Sequence, residues 1–118
     1  DYKEFISTEK LEAVRRISHF RMTRWEPLDD KYFIINASRK RTYLIEVMGF
    51  CPDLNFGHTL RLEQSMSNSL QSKFDSVIVE NDQIQKCTIK NIYKLSKEQK
   101  DRLVSGEVKG GLKIEKEL

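Results

Sequence analysis

The chain has 118 residues, of which 38% are hydrophobic and 33% charged, and its formal net charge is +3. This length fits one domain, and no stretch approaches the roughly 18 consecutive apolar residues that a membrane-spanning helix needs. The basic residues are spread along the chain instead of forming one block, so charge alone does not indicate nucleic-acid binding. We expect one α+β domain over residues 1–108 and a flexible C-terminal tail over residues 109–118.

The first predicted element is an amphipathic helix over residues 8–18. Leu11, Val14 and Ile17 follow one another at three-residue spacing, which places apolar side chains on one face of a helix. Ser7 precedes this segment and has the right side chain for an N-terminal cap. We therefore expect the fold to begin with a helix whose charged face contacts water.

From residue 20 onwards, β-branched and aromatic residues predict strands. The predicted strands are residues 20–25, 32–37, 42–48, 59–63, 74–80 and 83–89. The second and third of them are apolar on both faces for part of their length, which predicts a central hairpin. Asn81-Asp82 tolerates the positive φ of a tight turn and predicts a second hairpin.

Two further segments complete the predicted fold. Residues 64–73 are rich in serine and poor in strand formers, which predicts a mobile loop. Ser96 with Gln99 three residues later forms a capping box, and Gly106 stands where a helix often ends. The sequence thus predicts an α+β fold: one mostly antiparallel sheet of five or six strands, strongly curved or barrel-like, with an N-terminal helix and a short C-terminal helix.

The chain contains two cysteines, Cys51 in a Cys-Pro-Asp-Leu turn and Cys87 in a strand. Strand geometry puts Cys87 on the same face as Ile89, so its side chain should be buried. A disulfide between the two cysteines would stabilise the fold by about 4 kcal/mol and would indicate an oxidising compartment. Two reduced, buried cysteines in a cytosolic protein are the alternative.

Two kinds of chemistry could also involve these cysteines. Cys51, Asp53, His58 and Cys87 are residue types that bind zinc, but their spacing matches no familiar pair of ligands. A Cys51 nucleophile with His58 as base would lack an orienting third group, and Pro52 removes a backbone amide that an oxyanion hole could use. From the sequence we assign no metal, no cofactor and no catalytic residue.

Aromatic residues near basic ones suggest a surface that binds a partner. In single-stranded nucleic-acid-binding proteins, aromatic side chains on a sheet stack on bases while arginines contact phosphates. Such aromatics more often belong to the core. The candidate binding surface consists of Arg21, Arg24, Trp25, Arg39, Arg41 and Tyr43.

Residues 17–92 resemble a family of small exported proteins from Gram-negative bacteria that carries only a domain-of-unknown-function label. The matching pieces are Trp25-Glu26-Pro27-Leu28-Asp29-Asp30, Arg41-Thr42-Tyr43-Leu44-Ile45, Cys51-Pro52-Asp53-Leu54, Phe74-Asp75-Ser76-Val77 and Cys87-Thr88-Ile89 followed by Ile92. The resemblance implies export, with a leader that this chain lacks, and pairing of Cys51 with Cys87. It implies no activity.

We therefore expect a non-catalytic binding or accessory domain, periplasmic or secreted, with or without a lipid anchor. Its partner would be a protein or another component of the cell envelope. A single-stranded nucleic-acid-binding module that uses the aromatics and arginines above is the first alternative. A metal or thiol enzyme built around Cys51 and His58 is the second.

Overall fold

The computed structural model describes residues 2–55, 59–80 and 84–106. Within these ranges the chain forms helices α1 (Tyr2–Thr8) and α2 (Lys97–Val104) and a one-turn 3₁₀ helix (Pro52–Asn55). The strands, in chain order, are β1 (Ala13–Val14), β2 (Arg16–Ser18), β3 (Met22–Pro27), β4 (Tyr32–Ala37), β5 (Arg41–Val47), β6 (Thr59–Glu63), β7 (Ser69–Gln71), β8 (Ser76–Glu80) and β9 (Ile84–Leu95).

Six strands form a curled antiparallel sheet in the order β3-β4-β5-β9-β8-β6, which makes half a barrel. The short strand β1 also pairs with β9, while β2 and β7 form a separate two-stranded sheet. The pairing of β5 with β9 shifts in register between Glu46 and Val47, and such a bulge bends a strand. The predicted α+β fold, with a curved antiparallel sheet of five or six strands and a helix near each end, is confirmed.

The sheet is covered on both faces. Its concave face holds the inner core, which includes Phe33, Ile35, Ile45, Val77 and Ile89, together with both cysteines. The side chains that alternate with these on β4 and β5 form an outer core under the two helices. This outer core consists of Tyr2, Phe5, Leu28, Tyr32, Ile34, Leu44, Leu95 and Leu103. Because β4 and β5 are buried on both faces, the hairpin that they form lies in the interior of the fold, as predicted.

The helix predicted over residues 8–18 is wrong. The observed helix α1 ends at Thr8, so that Ser7 lies inside it, and β1 and β2 follow. Leu11 packs against the outer core, whereas Val14 and Ile17 belong to the inner core, so the three residues do not share one face. The edges of β9 and β7 supply backbone partners for this segment, and pairing with them outweighs its helical periodicity.

The loop predicted over residues 64–73 contains strand β7, which pairs with β2. Leu70, at the centre of β7, is fully buried. The neighbouring Asp75 carboxylate accepts hydrogen bonds from the amides of Ser65 (2.8 Å) and Gln71 (2.7 Å). These hydrogen bonds hold the segment in place, although its sequence has no pattern typical of a strand.

The other boundaries differ less from the predictions. β3 and β8 each begin two residues later than predicted, and β9 continues to Leu95. The capping box of Ser96 and Gln99 is confirmed, and Gly106 follows α2 with a φ of 88°. The turn predicted at residues 81–82 and the tail predicted at residues 109–118 lie outside the described residues.

Candidate functional site

A disulfide joins Cys51, in the turn that follows β5, to Cys87 on β9. The two Cα atoms are 6.2 Å apart, and both cysteines are buried in the inner core. The amide of Cys51 donates a hydrogen bond to the carbonyl of Asp30 (3.0 Å), which anchors the turn to the loop before β4. Strand phase predicted the burial of Cys87 correctly, and the pairing agrees with what the family resemblance implied.

Both the zinc site and the thiol enzyme considered above need a free cysteine thiolate, and the disulfide leaves neither cysteine free. A sulfur in a disulfide is neither a nucleophile nor a zinc ligand. His58 and the side chain of Asp53, which those alternatives also require, lie outside the described residues. Elsewhere in the described ranges, no group of three or more histidine, cysteine or acidic side chains is placed to hold a metal ion.

The structure does not bring all residues of the candidate binding surface together in one cleft. Arg24, Arg39 and Arg41 line one cleft of about 710 Å³, which we call the hairpin cleft. Trp25 packs edge-on against Phe33, with ring centroids 6.1 Å apart, on the inner-core side. Tyr43 is buried in the same core, and Arg21 is exposed but does not line the hairpin cleft. Of the six residues, Arg24, Arg39 and Arg41 therefore line the hairpin cleft, and Arg21, Trp25 and Tyr43 do not.

The hairpin cleft is strongly basic. It lies where the β4–β5 turn meets the beginning of α2, and one carboxylate, that of Asp101, lines it. Its cations are Arg24, Arg39, Lys40, Arg41, Lys97 and Lys100. The two lysines of α2 are distant in sequence from the arginines, and no local sequence pattern indicated that they would meet.

These cations differ in what they contact. Arg41 donates hydrogen bonds to three backbone carbonyls, those of Ser38 (3.1 Å), Ser18 (2.8 Å) and His19 (2.8 Å). Lys100 forms an ion pair with Glu26 (3.2 Å), and Lys97 lies 3.7 Å from Asp101. Arg39 and Lys40, in contrast, are exposed and form no ion pair with any described residue.

Arg39 and Lys40 also have an unusual backbone. Their φ angles are 66° and 58°, in the left-handed region that residues other than glycine seldom adopt. This conformation costs an L-residue about 1–2 kcal/mol relative to glycine. The hairpin thus displays two charged side chains at positions where glycine would be less strained.

Among the described residues two carboxylates are buried, those of Glu46 and Asp75, and both are hydrogen-bonded within the fold. Asp75 holds the segment that leads into β7, as described above. Glu46 accepts a hydrogen bond from Asn91 (3.0 Å), and the ammonium groups of Lys31 and Lys90 each lie 3.9 Å from its Oε2. Among the described residues, no buried side-chain nitrogen or oxygen lacks a hydrogen-bond partner.

Three tyrosines on the outer side of the sheet have raised pKa values. Burial raises the pKa of Tyr2 to about 12, and the negative charge of Asp29 adds to the rise. Burial also raises the pKa values of Tyr32 and Tyr93, and the charge of Glu46 adds to both shifts. All three side chains are therefore neutral near pH 7 and act as packing residues with a polar end.

A family model described as a family of unknown function (DUF6491) matches residues 2–109, and the chain therefore belongs to this family. The match extends beyond the resemblance over residues 17–92 and includes both helices. Searches of curated proteins and of solved structures found no match. In the part of the chain that the structure describes, no helix is both long and apolar enough to span a membrane.

Proposed function

We propose that this member of DUF6491 is a non-catalytic binding domain of an extracytoplasmic compartment, the periplasm or the cell exterior. The hairpin cleft would be its binding surface, and an acidic surface of a partner protein would be its ligand. Export with a leader that is later removed, or with a lipid attachment site, belongs to this proposal.

The disulfide is the observation that carries the proposal. Disulfides persist in oxidising compartments and are rare where cellular thiols are kept reduced. Cys51 and Cys87 are separated by 36 positions, and both lie in the inner core instead of at an exposed, easily reduced position. The bond therefore has a structural role, which fits a protein that folds outside the cytosol.

The charge of the hairpin cleft indicates the kind of partner. Six cations and one carboxylate line it, and complementary charge speeds association and selects among partners. Arg39 and Lys40 are free to reach an acidic surface, whereas Arg24 and Lys100 share Glu26. Because Trp25 and Tyr43 face the inner core, they offer no platform for stacked bases, and we prefer a protein partner to nucleic acid.

The proposal can be tested with a fluorescently labelled decaglutamate peptide as an acidic probe. Fluorescence anisotropy at low salt should show binding that weakens as salt is added, because exposed charges are screened. The double variant Arg39→Gln/Lys40→Gln should weaken binding about tenfold, as expected for the loss of two charge-assisted contacts. Arg21→Gln, which removes an exposed arginine outside the cleft, is the matched control.

Three results would count against this function. Equal binding by the double variant and the control would show that the cleft is not the surface. Binding of a single-stranded oligonucleotide without binding of decaglutamate would favour the nucleic-acid alternative. Reduced cysteines in the protein isolated from its own cells would remove the argument for an extracytoplasmic location.

A further inference from the structure

A second basic cleft lies on the small β2–β7 sheet and shares no residue with the hairpin cleft. We call it the turn cleft, because the turn after β7 forms one of its walls. Its volume is about 740 Å³, and its lining residues are Arg15, Arg16, Gln71, Ser72, Lys73 and Phe74. A concavity of this size fits a small molecule or one group of a larger ligand.

The turn cleft carries three cations, and no acidic side chain lines it. Arg15 and Arg16 are exposed, and within the described ranges neither guanidinium forms an ion pair. The Lys73 ammonium donates a hydrogen bond to the carbonyl of Lys90 (3.3 Å), which holds it at the cleft and leaves its other protons for a ligand. Together these groups favour an anion, since arginines bind carboxylates and phosphates with paired hydrogen bonds.

The backbone around the cleft is fixed by hydrogen bonds. The amide and the hydroxyl of Ser72 both donate to the carbonyl of Arg15, at 2.9 Å and 3.2 Å. The amide of Lys73 donates to the carbonyl of Ile89 (2.7 Å), and the buried Asp75 accepts from the amide of Gln71 (2.7 Å). The cations are therefore mounted on a rigid frame, which reduces the conformational entropy that a ligand must overcome.

Two features of the turn cleft are unfavourable for the isolated fold. Phe74 is 76% exposed, the highest exposure among the large hydrophobic side chains of the described residues. Lys73, beside it, has a φ of 72°. Strained residues of this kind concentrate at ligand-binding positions. An exposed ring next to three cations provides an apolar surface and a positive charge within one cleft.

We propose that the turn cleft binds a soluble ligand in which a phosphate or carboxylate group is attached to a flat apolar group. Arg15 and Arg16 contact the anionic group, with Lys73 beside them, and Phe74 packs against the apolar part. A concave cleft holds such a ligand better than it meets a flat membrane surface. This site does not depend on the function proposed for the hairpin cleft.

Phenyl phosphate is a suitable probe, because it joins a phosphate to an aromatic ring. NMR titration of the isotopically labelled protein should shift the amide signals of residues 15–16 and 71–74. Inorganic phosphate should bind more weakly, because it cannot contact Phe74. The variants Phe74→Ala and Arg15→Gln/Arg16→Gln should each raise the Kd for phenyl phosphate about tenfold. All three positions are exposed, so the variants should remain folded.

Matched controls distinguish binding of phenyl phosphate in the turn cleft from non-specific attraction of an anion to a basic protein. Phe50→Ala removes another exposed phenylalanine, and Arg39→Gln removes a cation of the hairpin cleft. Neither should change the Kd. The proposal is overturned if the Kd is the same in all variants or if no amide signal near the turn cleft shifts. Binding to vesicles of anionic phospholipid, without any shift caused by phenyl phosphate, would also overturn it and indicate a membrane surface instead.

Discussion

Arg41 and Arg39 lie two residues apart in the same hairpin, yet their guanidinium groups have different surroundings. Arg41 holds the carbonyls of Ser18 and His19 against the β4–β5 turn, while Arg39 projects into the solvent. Both lie in the sequence segment that predicted a binding surface. The structure therefore separates an arginine with a structural role from one that is available to a partner.

We predict that Arg41→Ala lowers the free energy of unfolding by about 1–3 kcal/mol, because three hydrogen bonds from a charged donor are lost. Arg39→Ala should change it by less than about 0.5 kcal/mol, as is usual for an exposed residue. Urea unfolding followed by circular dichroism measures both values. Equal effects of the two substitutions would contradict the structural role of Arg41.

The tyrosines of the outer core predict how stability depends on alkaline pH. Tyr2 has a pKa of about 12 in the fold, against about 10 in an unfolded chain. The folded protein therefore keeps a proton that the unfolded chain has released. The contribution of Tyr2 to stability is complete below pH 10 and is lost as the pH rises to about 12.

Tyr2→Phe should accordingly lose less stability than the native chain between pH 10 and pH 12. Urea unfolding at several pH values in this interval tests this, and the difference between the two proteins isolates the contribution of Tyr2 to the free energy of unfolding. Parallel loss of stability in both proteins would mean that Tyr2 titrates normally in the fold.

At the level of the elements, β7 is a strand that its own sequence does not predict. Ser69 and Gln71 flank Leu70, and nothing in this composition indicates a strand. The strand exists because β2 pairs with it and because Leu70 enters the inner core. Its stability thus comes from contacts between segments that are distant in sequence.

Leu70→Ala should lower the free energy of unfolding by about 2–5 kcal/mol, the cost of removing a large side chain from a packed core. Phe74→Ala, four residues later, is the matched control and should have little effect because its ring is mostly exposed. Chemical denaturation compares the two. If residues 64–73 were a mobile loop, Leu70→Ala would be as harmless as the control.

The elements that could be predicted are those whose cause is local. Strands β4 and β5 follow from their β-branched and aromatic residues, β6 follows from the alternation of apolar and polar residues, and α2 follows from the capping box of Ser96 and Gln99. The segment between residues 11 and 18 could not be predicted in this way, since β9 and β7 determine its conformation. Of the hairpin cleft, the sequence indicated arginines such as Arg39 and Arg41. It did not indicate Lys97 and Lys100, because α2 is distant in sequence and meets the β4–β5 turn only in the folded protein.

At the scale of the whole molecule, the disulfide ties the two halves of the sheet together. Cys51 follows the β4–β5 hairpin, and Cys87 lies where β9 pairs with β8. The disulfide closes a loop with a sequence separation of 36 residues. This restricts the unfolded chain and stabilises the fold by about 4 kcal/mol. That is a large share of the 5–15 kcal/mol typical of a small domain.

The double variant Cys51→Ala/Cys87→Ala should therefore be less stable than the native chain by about 4 kcal/mol. Guanidinium unfolding measures the difference. The native chain in the presence of a strong reductant is the control and should lose a similar amount. Equal stability of the variant and the oxidised protein would show that the bond contributes nothing to the fold.

The most direct test of an extracytoplasmic, disulfide-stabilised domain is the redox state of the cysteines in the organism that makes the protein. Cells are lysed under denaturing conditions in the presence of a thiol-alkylating reagent, so that any reduced cysteine is exposed and labelled, and the intact mass of the protein is then measured without reductant. We predict that neither Cys51 nor Cys87 carries a label, and that both become labelled once the protein is reduced and unfolded. Labels on both cysteines of the unreduced, unfolded protein would contradict the account.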